Sequence, residues 1–523
     1  MADAGEENAV AAHLLAQGVC RFCVLRFLGR DDPDAFQRAA AEGAGADADA
    51  GENSRCPTCL GILPRVAAPG FCEAVVGAFA AAGFVAPAFL LTVATPACLI
   101  PRDALALHEL FGCRTCDGAV RAADGEKGAS LRARLAHVVP VKRALKLLLG
   151  PRLSAALRLP VAADAPLRYA LVVEAAGLPP VELPKQLVDS RRRRDHAVLR
   201  RRGVPNDAIV TGALTELVRD AVDDHALLAA LCRARTPLRL ADDPRVLFRG
   251  ALERDPVFVA ARYLKLQRYL PQTGDGEDTE AADETEAAEE NGAETGAPAD
   301  SDGAVSGALG GSVAALIQPA FIRFGHADGA TFHAAGREDV DVRMRGDGRP
   351  FLVELRNSRD GHLRNWAAFE AGVAGLEANG PIAVVGPVKV VDSATALKRL
   401  SEGSADKQKT YRALCWASRS LPDAAFEALA SISELQIAQQ TPLRVLHRRT
   451  LLRRARTITQ LRLEKRLGTR YFVLTITAQA GTYIKEFCNG DCGRTRPALG
   501  DLLGADIEIL QLDVVEVEMA WPP

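Results

Sequence analysis

The chain has 523 residues, is 48% hydrophobic and 25% charged, and carries a net charge of −2. That length excludes a single hydrophobic core, and the composition is that of a soluble globular protein, so two or more domains are expected. Twelve acidic residues and no Lys or Arg fall within 274–302, so the rest of the chain stands at +10, which favours a polyanionic partner.

The start, MADAGEENAV, is acidic and polar, without the basic and apolar regions of a secretory leader. A reducing compartment, nucleus or cytoplasm, is therefore expected, and there CxxC pairs read as metal ligands rather than disulfides. Cys20-Arg-Phe-Cys23 and Cys56-Pro-Thr-Cys59 stand 32 residues apart. Together they offer four thiolates to one tetrahedral zinc ion, a closed site whose role is structural. A third pair, Cys113 and Cys116, competes, but the spacing favours the first two. Cys72, Cys98, Cys232, Cys415, Cys488 and Cys492 lack ligand spacing and are expected to be small buried hydrophobes.

Residues 1–65 form the zinc-binding part. From Ala74 to Ile100 there is no charge over 27 residues, long enough to mimic a membrane span. Gly83, Pro87 and Pro96 divide it, the first piece is Ala-rich and FLLTV is strand-like, so a buried helix followed by a strand is expected, with no membrane contact. VPVKRALKLLLG (139–150) reads as a basic helix, RYALVVEAA (168–176) as a buried strand, and Arg191–Arg194 with Arg200–Arg202 as a basic cluster. FVAARYLKLQRYLPQ (258–272) interleaves aromatic and basic residues and closes the accessory part, 66–270. The acidic stretch cannot bury enough apolar surface to fold, so 271–308 is expected to be a disordered linker.

Residues 309–523 alternate strands and helices. DVDVRM, FLVEL, IAVVG, YRALCWAS, YFVLTITA and IEILQLDVVEVEM predict an α+β domain, a sizeable sheet with helices on one face. Within GREDVDVRM, strand alternation places Arg337, Asp339, Asp341 and Arg343 on one face and Val340, Val342 and Met344 on the other. Between 441 and 470 lie ten Lys or Arg and one Glu, a density that repels itself unless phosphates neutralise it. Structured RNA fits such a surface, with Arg444, His447, Arg448, Arg449, Arg453 and Arg454 as the candidate contacts.

A carboxylate beside an arginine, with Tyr411 in KTYRAL and Lys485 in QAGTYIKEF downstream, is where a family resemblance emerges. The chain resembles the pseudouridine synthases, most closely the archaeal and eukaryotic "Pus ten" class of tRNA pseudouridine synthase. GREDVDVR (336–343), GRPF (348–351), KTYRAL (409–414), TPLRVLHRR (441–449), QAGTYIKEF (479–487), GRT (493–495) and WPP (521–523) carry it, with CRFCVLRFLG, CPTCLGIL and FVAARYLKLQRYLPQT in the first half. Residues 66–257 match only weakly.

The resemblance implies a pseudouridine synthase catalytic domain over 309–523, a large mixed or antiparallel sheet flanked by helices. It implies an N-terminal zinc-containing, THUMP-like α/β accessory domain as well. Asp339 takes the place of the catalytic aspartate and Arg337 that of the motif arginine near the flipped nucleotide. Tyr411 matches the tyrosine packed on the target base, and Lys485 the basic partner of the aspartate. Cys20, Cys23, Cys56 and Cys59 match the zinc ligands. The implied activity is isomerisation of uridine in the T-loop of tRNA, at position 55 with 54 a second candidate. It is carried out by a monomer without a catalytic or nucleotide cofactor. Asp339 acts either on C1′ as a nucleophile or on the C2′ proton as a base. Asp341 reads as bracing. The alternative function is a non-catalytic RNA-binding scaffold in RNA processing that retains the fold.

Overall fold

The computed structural model describes residues 4–43, 56–111, 131–176, 214–219, 245–274, 311–360, 365–377, 380–405, 407–447 and 449–523. They fall into two compact units, Met1–Arg254 and Asp255–Pro523. The Cys113/Cys116 pair, Cys232, the basic residues at 191–194 and 200–202, Arg448 and the acidic tract beyond Gly274 lie outside the described residues.

In the first unit the uncharged stretch divides as its Gly and Pro positions predict. A helix runs over Pro69–Ala82 and stops at Gly83, whose φ of 68° is the left-handed conformation that closes helices. Strand β1 (Phe89–Ala94) follows. Among the described residues, no helix is long and apolar enough to cross a membrane. β1 pairs in parallel with β2 (Leu167–Ala176), which pairs antiparallel with β3 (Arg245–Arg254). Phe89, Leu91 and Val93 of β1, with Leu167, Tyr169, Leu171 and Val173 of β2, alternate inward in the same core as Leu145, Leu148 and Leu149 of helix Val141–Leu157.

The second unit is built on a ten-stranded mixed sheet. Its strands are β4 (Val257–Lys265), β5 (Gly329–Ala334), β6 (Arg343–Arg356), β7 (Ile382–Val391), β8 (Lys409–Ala417), β9 (Leu435–Gln440), β10 (Arg453–Arg466), β11 (Tyr471–Ala478), β12 (Thr495–Arg496) and β13 (Ile507–Val517). The order is β12-β9-β10-β11-β8-β13-β6-β4-β7, with β5 on β6, and every pair is antiparallel except β13 with β6. β4 runs along one edge of β6, at Met344 and from Arg349 to Leu355, while the other edge changes partner, from β13 at Arg343 and Met344 to β5 at Phe351–Arg356. Gly346 makes the crossing possible. Its φ is 60°, and a Cβ there would lie 1.9 Å from the Val515 carbonyl oxygen.

Three expectations are corrected. FVAARYLKL does not close the accessory part: as β4 it lies inside the second unit's sheet, between β6 and β7, so the expected boundary at 270 moves to 254/255. The acidic tract therefore joins two parts of one sheet rather than two units. Helices also cover both faces around β4 and β6, not one. Val259 and Ala261 with Phe351 and Val353 share a core with Ile317 and Phe321 of helix Val313–Gly325. Phe258 and Ala260 with Leu352 share another with Ala396 and Leu400 of helix Ser393–Ala405. That two-sided burial is why FVAA and PFLV read as continuous apolar runs.

The third correction concerns GREDVDVRM. The strand begins only at Arg343, and residues 335–342 form a loop in which the Val342 N–H donates to the Asp339 carbonyl at 2.9 Å. Alternation fails there. Val340 is exposed while Val342 and Met344 are buried.

Trp521 of the WPP motif is buried against the second core, and its indole N–H donates to the carbonyls of Ala261 (2.9 Å) and Phe351 (3.1 Å), bridging β4 and β6. Trp521→Ala is expected to lower unfolding free energy by about 3–5 kcal/mol, read from urea denaturation. A loss below about 1 kcal/mol would show that the bridge is dispensable.

Candidate functional site

Asp339 stands in the 335–342 loop, which buried charges beneath it hold in shape. Glu338, its neighbour, turns inward. Arg349 of β6 donates to Glu338 Oε2 at 2.7 Å, Lys265 of β4 lies 3.6 Å from Oε1, and the Tyr263 hydroxyl lies 3.3 Å from Oε1. The side chains of all three charged residues are within 1% of full burial. The Lys265 ammonium also donates to the carbonyls of Asp339 (3.1 Å) and Leu270 (3.0 Å). Arg268 donates to the Asp341 carbonyl at 2.8 Å, the Tyr269 N–H to the Val340 carbonyl at 2.8 Å, and Gln272 to the Gly336 carbonyl at 3.0 Å. Residues 263–270, expected in the accessory part, and Gln272, expected in the disordered linker, are the cradle of this loop.

Above the cradle two cations meet Asp339 at one oxygen. Arg444 Nη2 is 3.1 Å and Lys485 Nζ 3.3 Å from Asp339 Oδ2. Burial favours the neutral acid, but Arg444 and Lys485 prevail and hold the carboxyl below the usual range, so Asp339 stays ionised. Arg444, expected as an RNA contact, belongs to this clamp. It sits on the short turn Leu443–Val445, pairs with buried Glu486 at 2.6 Å and lies 5.9 Å from the Tyr483 ring. Lys485 comes from the helix Ile484–Asn489, whose entry is fixed by buried Gln439: its amide gives and takes a hydrogen bond, each 2.9 Å, with the Tyr483 backbone. Lys485 also grips both oxygens of Asp341, at 2.7 and 2.8 Å, closer than it comes to Asp339. Asp341 thus faces the site as Asp339 does. Arg343 does not, pairing instead with Asp513 on β13 at 2.9 and 2.7 Å.

Tyr411 occupies the middle of β8, opposite Ile476 of β11 and Val514 of β13, and is buried in the main core. Burial pushes its phenol up to about 12, and the nearby Asp339 charge adds to that against Arg349. Two residues earlier on the same strand face, Lys409 is nine-tenths buried, and burial, with Arg349 close by, pushes its ammonium down to about 8. Arg337 is exposed at the loop's start. His447, Arg449 and Arg453 are exposed and Arg454 half-buried, the last two at the head of β10. Nearly half of the basic run 441–470 is thus strand β10, pinned to the core by Ile458 and Leu461.

In the first unit, the sulfurs of Cys20, Cys23, Cys56 and Cys59 all lie within 4.8 Å of one another. Cys20 and Cys59 Sγ are 3.7 Å apart, close to the edge of about 3.8 Å for a tetrahedron with zinc–sulfur bonds of about 2.3 Å. The residues therefore fit a four-thiolate zinc site. The Cys20 N–H donates to Cys56 Sγ at 3.3 Å, Thr58 Oγ1 lies 3.1 Å from the same sulfur, and Arg26 donates to Cys23 Sγ at 3.3 Å. Arg26 is buried and ion-paired to Asp103. Such donors offset thiolate charge around a bound metal. Cys72, Cys98, Cys415 and Cys488 are buried as expected, but Cys492 is exposed, carried on a turn with its φ at 55°.

With the geometry in view, the comparisons are direct. The family described as "Pus10, C-terminal" matches residues 258–518. By its C-terminal half, this chain belongs to that family. The tRNA pseudouridine synthase Pus10 of Xenopus laevis is 38% identical over 51% of this chain and 46% of that protein. The one from Methanopyrus kandleri is 33% identical over 50% and 56%. The chain spans about half the length of the curated relatives it matches. Among solved structures, a Cbf5-Nop10-Gar1 complex matches 37% of this chain and 42% of that one at 16% identity with a TM-score of 0.22, too slight a likeness to argue from.

Two measurements follow. Zinc content of the purified protein is expected to fall in Cys20→Ser and to hold in Cys113→Ser, with the reverse pattern overturning the choice of ligands. For Lys409, an unfolded lysine holds its proton to about 10.4 while the folded one releases it near 8, so between those values the unfolded chain binds more protons and stability rises with pH. Lys409→Met is expected to abolish that rise and add about 2–3 kcal/mol at pH 7, read from urea denaturation at pH 7 and 10.

Proposed function

We propose that this chain is a tRNA pseudouridine synthase, isomerising uridine in the T-loop at position 55, with 54 as a second target, through Asp339. The observation that carries the reading is the state of that carboxylate. Both cations make their closest approach at Oδ2, and the Asp339 side chain keeps 38% of its surface exposed. An ionised carboxylate held by two cations and still open on its exposed side suits attack on C1′ or removal of the C2′ proton. The relatives' names supply tRNA as the substrate class, and the basic surface around His447, Arg449, Arg453 and Arg454 suits its phosphates.

In this reading the target nucleotide leaves its stack and enters over the 335–342 loop. Arg337 at the loop's exposed start contacts the flipped nucleotide. Tyr411, a neutral phenol at working pH, confines the uracil while it turns from N1 to C5. Lys485 and Arg444 keep Asp339 charged and oriented once RNA has displaced water. Zinc at the four cysteines supplies structure, not chemistry, and a THUMP-like RNA-binding role for the rest of the first unit belongs to the same proposal.

The test is position-resolved pseudouridine mapping on unmodified tRNA transcript. Wild type is expected to form product, and Asp339→Asn to lose on the order of 10³-fold or more in kcat/KM. Because Asp339 is held below the ordinary carboxylate value of about 3.9, its ionisation is complete from about pH 5 upward and adds no acidic limb to the rate there. Absence of product from wild type sinks the enzyme in favour of a binding scaffold. Full activity in Asp339→Asn sinks only the residue's role.

A further inference from the structure

The two cations on Asp339 are not its own. Lys485 is 2.7 and 2.8 Å from the oxygens of Asp341 but 3.3 Å from Asp339. Arg444 is 2.6 Å from Glu486 but 3.1 Å from Asp339. Each cation therefore sits closer to a second carboxylate than to the reacting one. From the structure we infer that Asp341 is a positioning residue, which holds Lys485 by a two-point grip and keeps it charge-compensated while the charge of Asp339 is consumed. Glu486 does the same for Arg444.

This deepens the proposed function and rests on it. Asp339, Asp341 and Glu486 face two cations, a net charge of −1 in a half-buried site. In the nucleophilic route, an Asp339 oxygen forms a bond to C1′, the C1′–N1 bond breaks, and its electron pair leaves with the uracil as an anion. In the base route, Asp339 takes the C2′ proton, the C2′–H pair becomes the C1′–C2′ double bond, and the C1′–N1 pair again leaves with uracil. Either way the negative charge passes from Asp339 to the base. A lysine paired with Asp339 alone would then be stranded, and stranding a charge in a water-excluded site raises the barrier. With Asp341 and Glu486 in place, two closed pairs remain, Lys485 with Asp341 and Arg444 with Glu486. The cations keep their positions and no side chain reorganises during the step.

The groups facing this cluster are few enough to name. Lys485 comes from its helix, Arg444 from the short turn, Tyr411 from β8 and Lys265 from β4, which acts on Asp341 at longer range. Backbone anchoring also bears on Asp341. Its carbonyl accepts from Arg268, so the loop position does not depend on the side-chain carboxylate, and Asp341→Asn removes the charge while leaving the anchor.

A double-mutant cycle on kcat distinguishes positioning through Lys485 from a merely structural role. Asp341→Asn, Lys485→Gln and the double variant are compared with wild type on unmodified tRNA transcript, with thermal melts confirming that each folds. Asp341→Asn is expected to lower kcat by roughly 10- to 100-fold with KM changed less than about threefold. In the Lys485→Gln background the same substitution is expected to cost about twofold or less, because the lysine it acts through is gone. Equal costs in the two backgrounds, with wild type active, overturn this inference alone. No product from wild type overturns the underlying function and this inference with it. A loss confined to KM also refutes it, since that outcome makes Asp341 a substrate contact.

Discussion

The second unit depends on a carboxylate that never meets solvent. Glu338 lies under the 335–342 loop between the guanidinium of Arg349 and the ammonium of Lys265. Removing these charges from water costs several kcal/mol each, and the cost is offset only when every partner is in place. Two consequences follow. The loop has one conformation compatible with closing the network, because Lys265 must also reach the Asp339 and Leu270 carbonyls. And Asp339, the next residue, is thereby delivered to Arg444 and Lys485 rather than to solvent. A buried network specifies position here more than it adds stability.

The site is a convergence of distant segments on that loop. β4 supplies Lys265, the residues after it supply Arg268 and Gln272, β6 supplies Arg349, β8 supplies Tyr411, and the stretch after β11 supplies Lys485 and Glu486. These segments lie far apart in the sequence. The open sheet makes them neighbours because β6, β13 and β8 run side by side. The electrostatic result is opposed shifts in adjacent groups, with Asp339 held ionised and Tyr411 held neutral. Such a separation of proton affinities is what acid–base work at one site requires.

Much of this was legible in the sequence, and the parts that were not share a cause. Long strands such as YFVLTITA and IEILQLDVVEV declare themselves by β-branched composition, and the CxxC pairs by spacing. The uncharged stretch from Ala74 resolved correctly because Gly and Pro act locally. Asp339, Tyr411 and Lys485 were singled out by motif. Glu338, Lys265 and Arg349 were not, since a buried ion pair leaves no periodic trace and its members here lie up to 84 residues apart. Asp341 reads as bracing because it lacks the motif position, and its grip on Lys485 leaves no trace in an alternation that the turn from Asp339 to Val342 interrupts. By composition RYLKLQRYLPQ shows only interleaved aromatic and basic residues at the close of the accessory part. Its charges reach inward to carbonyls, which only tertiary structure shows.

The place of β4 has one more consequence. It precedes residues 275–310 in the chain, yet its hydrogen-bond ladders are with β6 and β7, which follow them. The intervening stretch is topologically an insertion within one sheet. The entropic cost of closing such a connection grows only with the logarithm of its length, about 0.6 kcal/mol for each doubling. A single backbone cut in that stretch would leave a two-chain body held by strand pairing, with Asp339 on one fragment and Lys265, which fixes its loop, on the other.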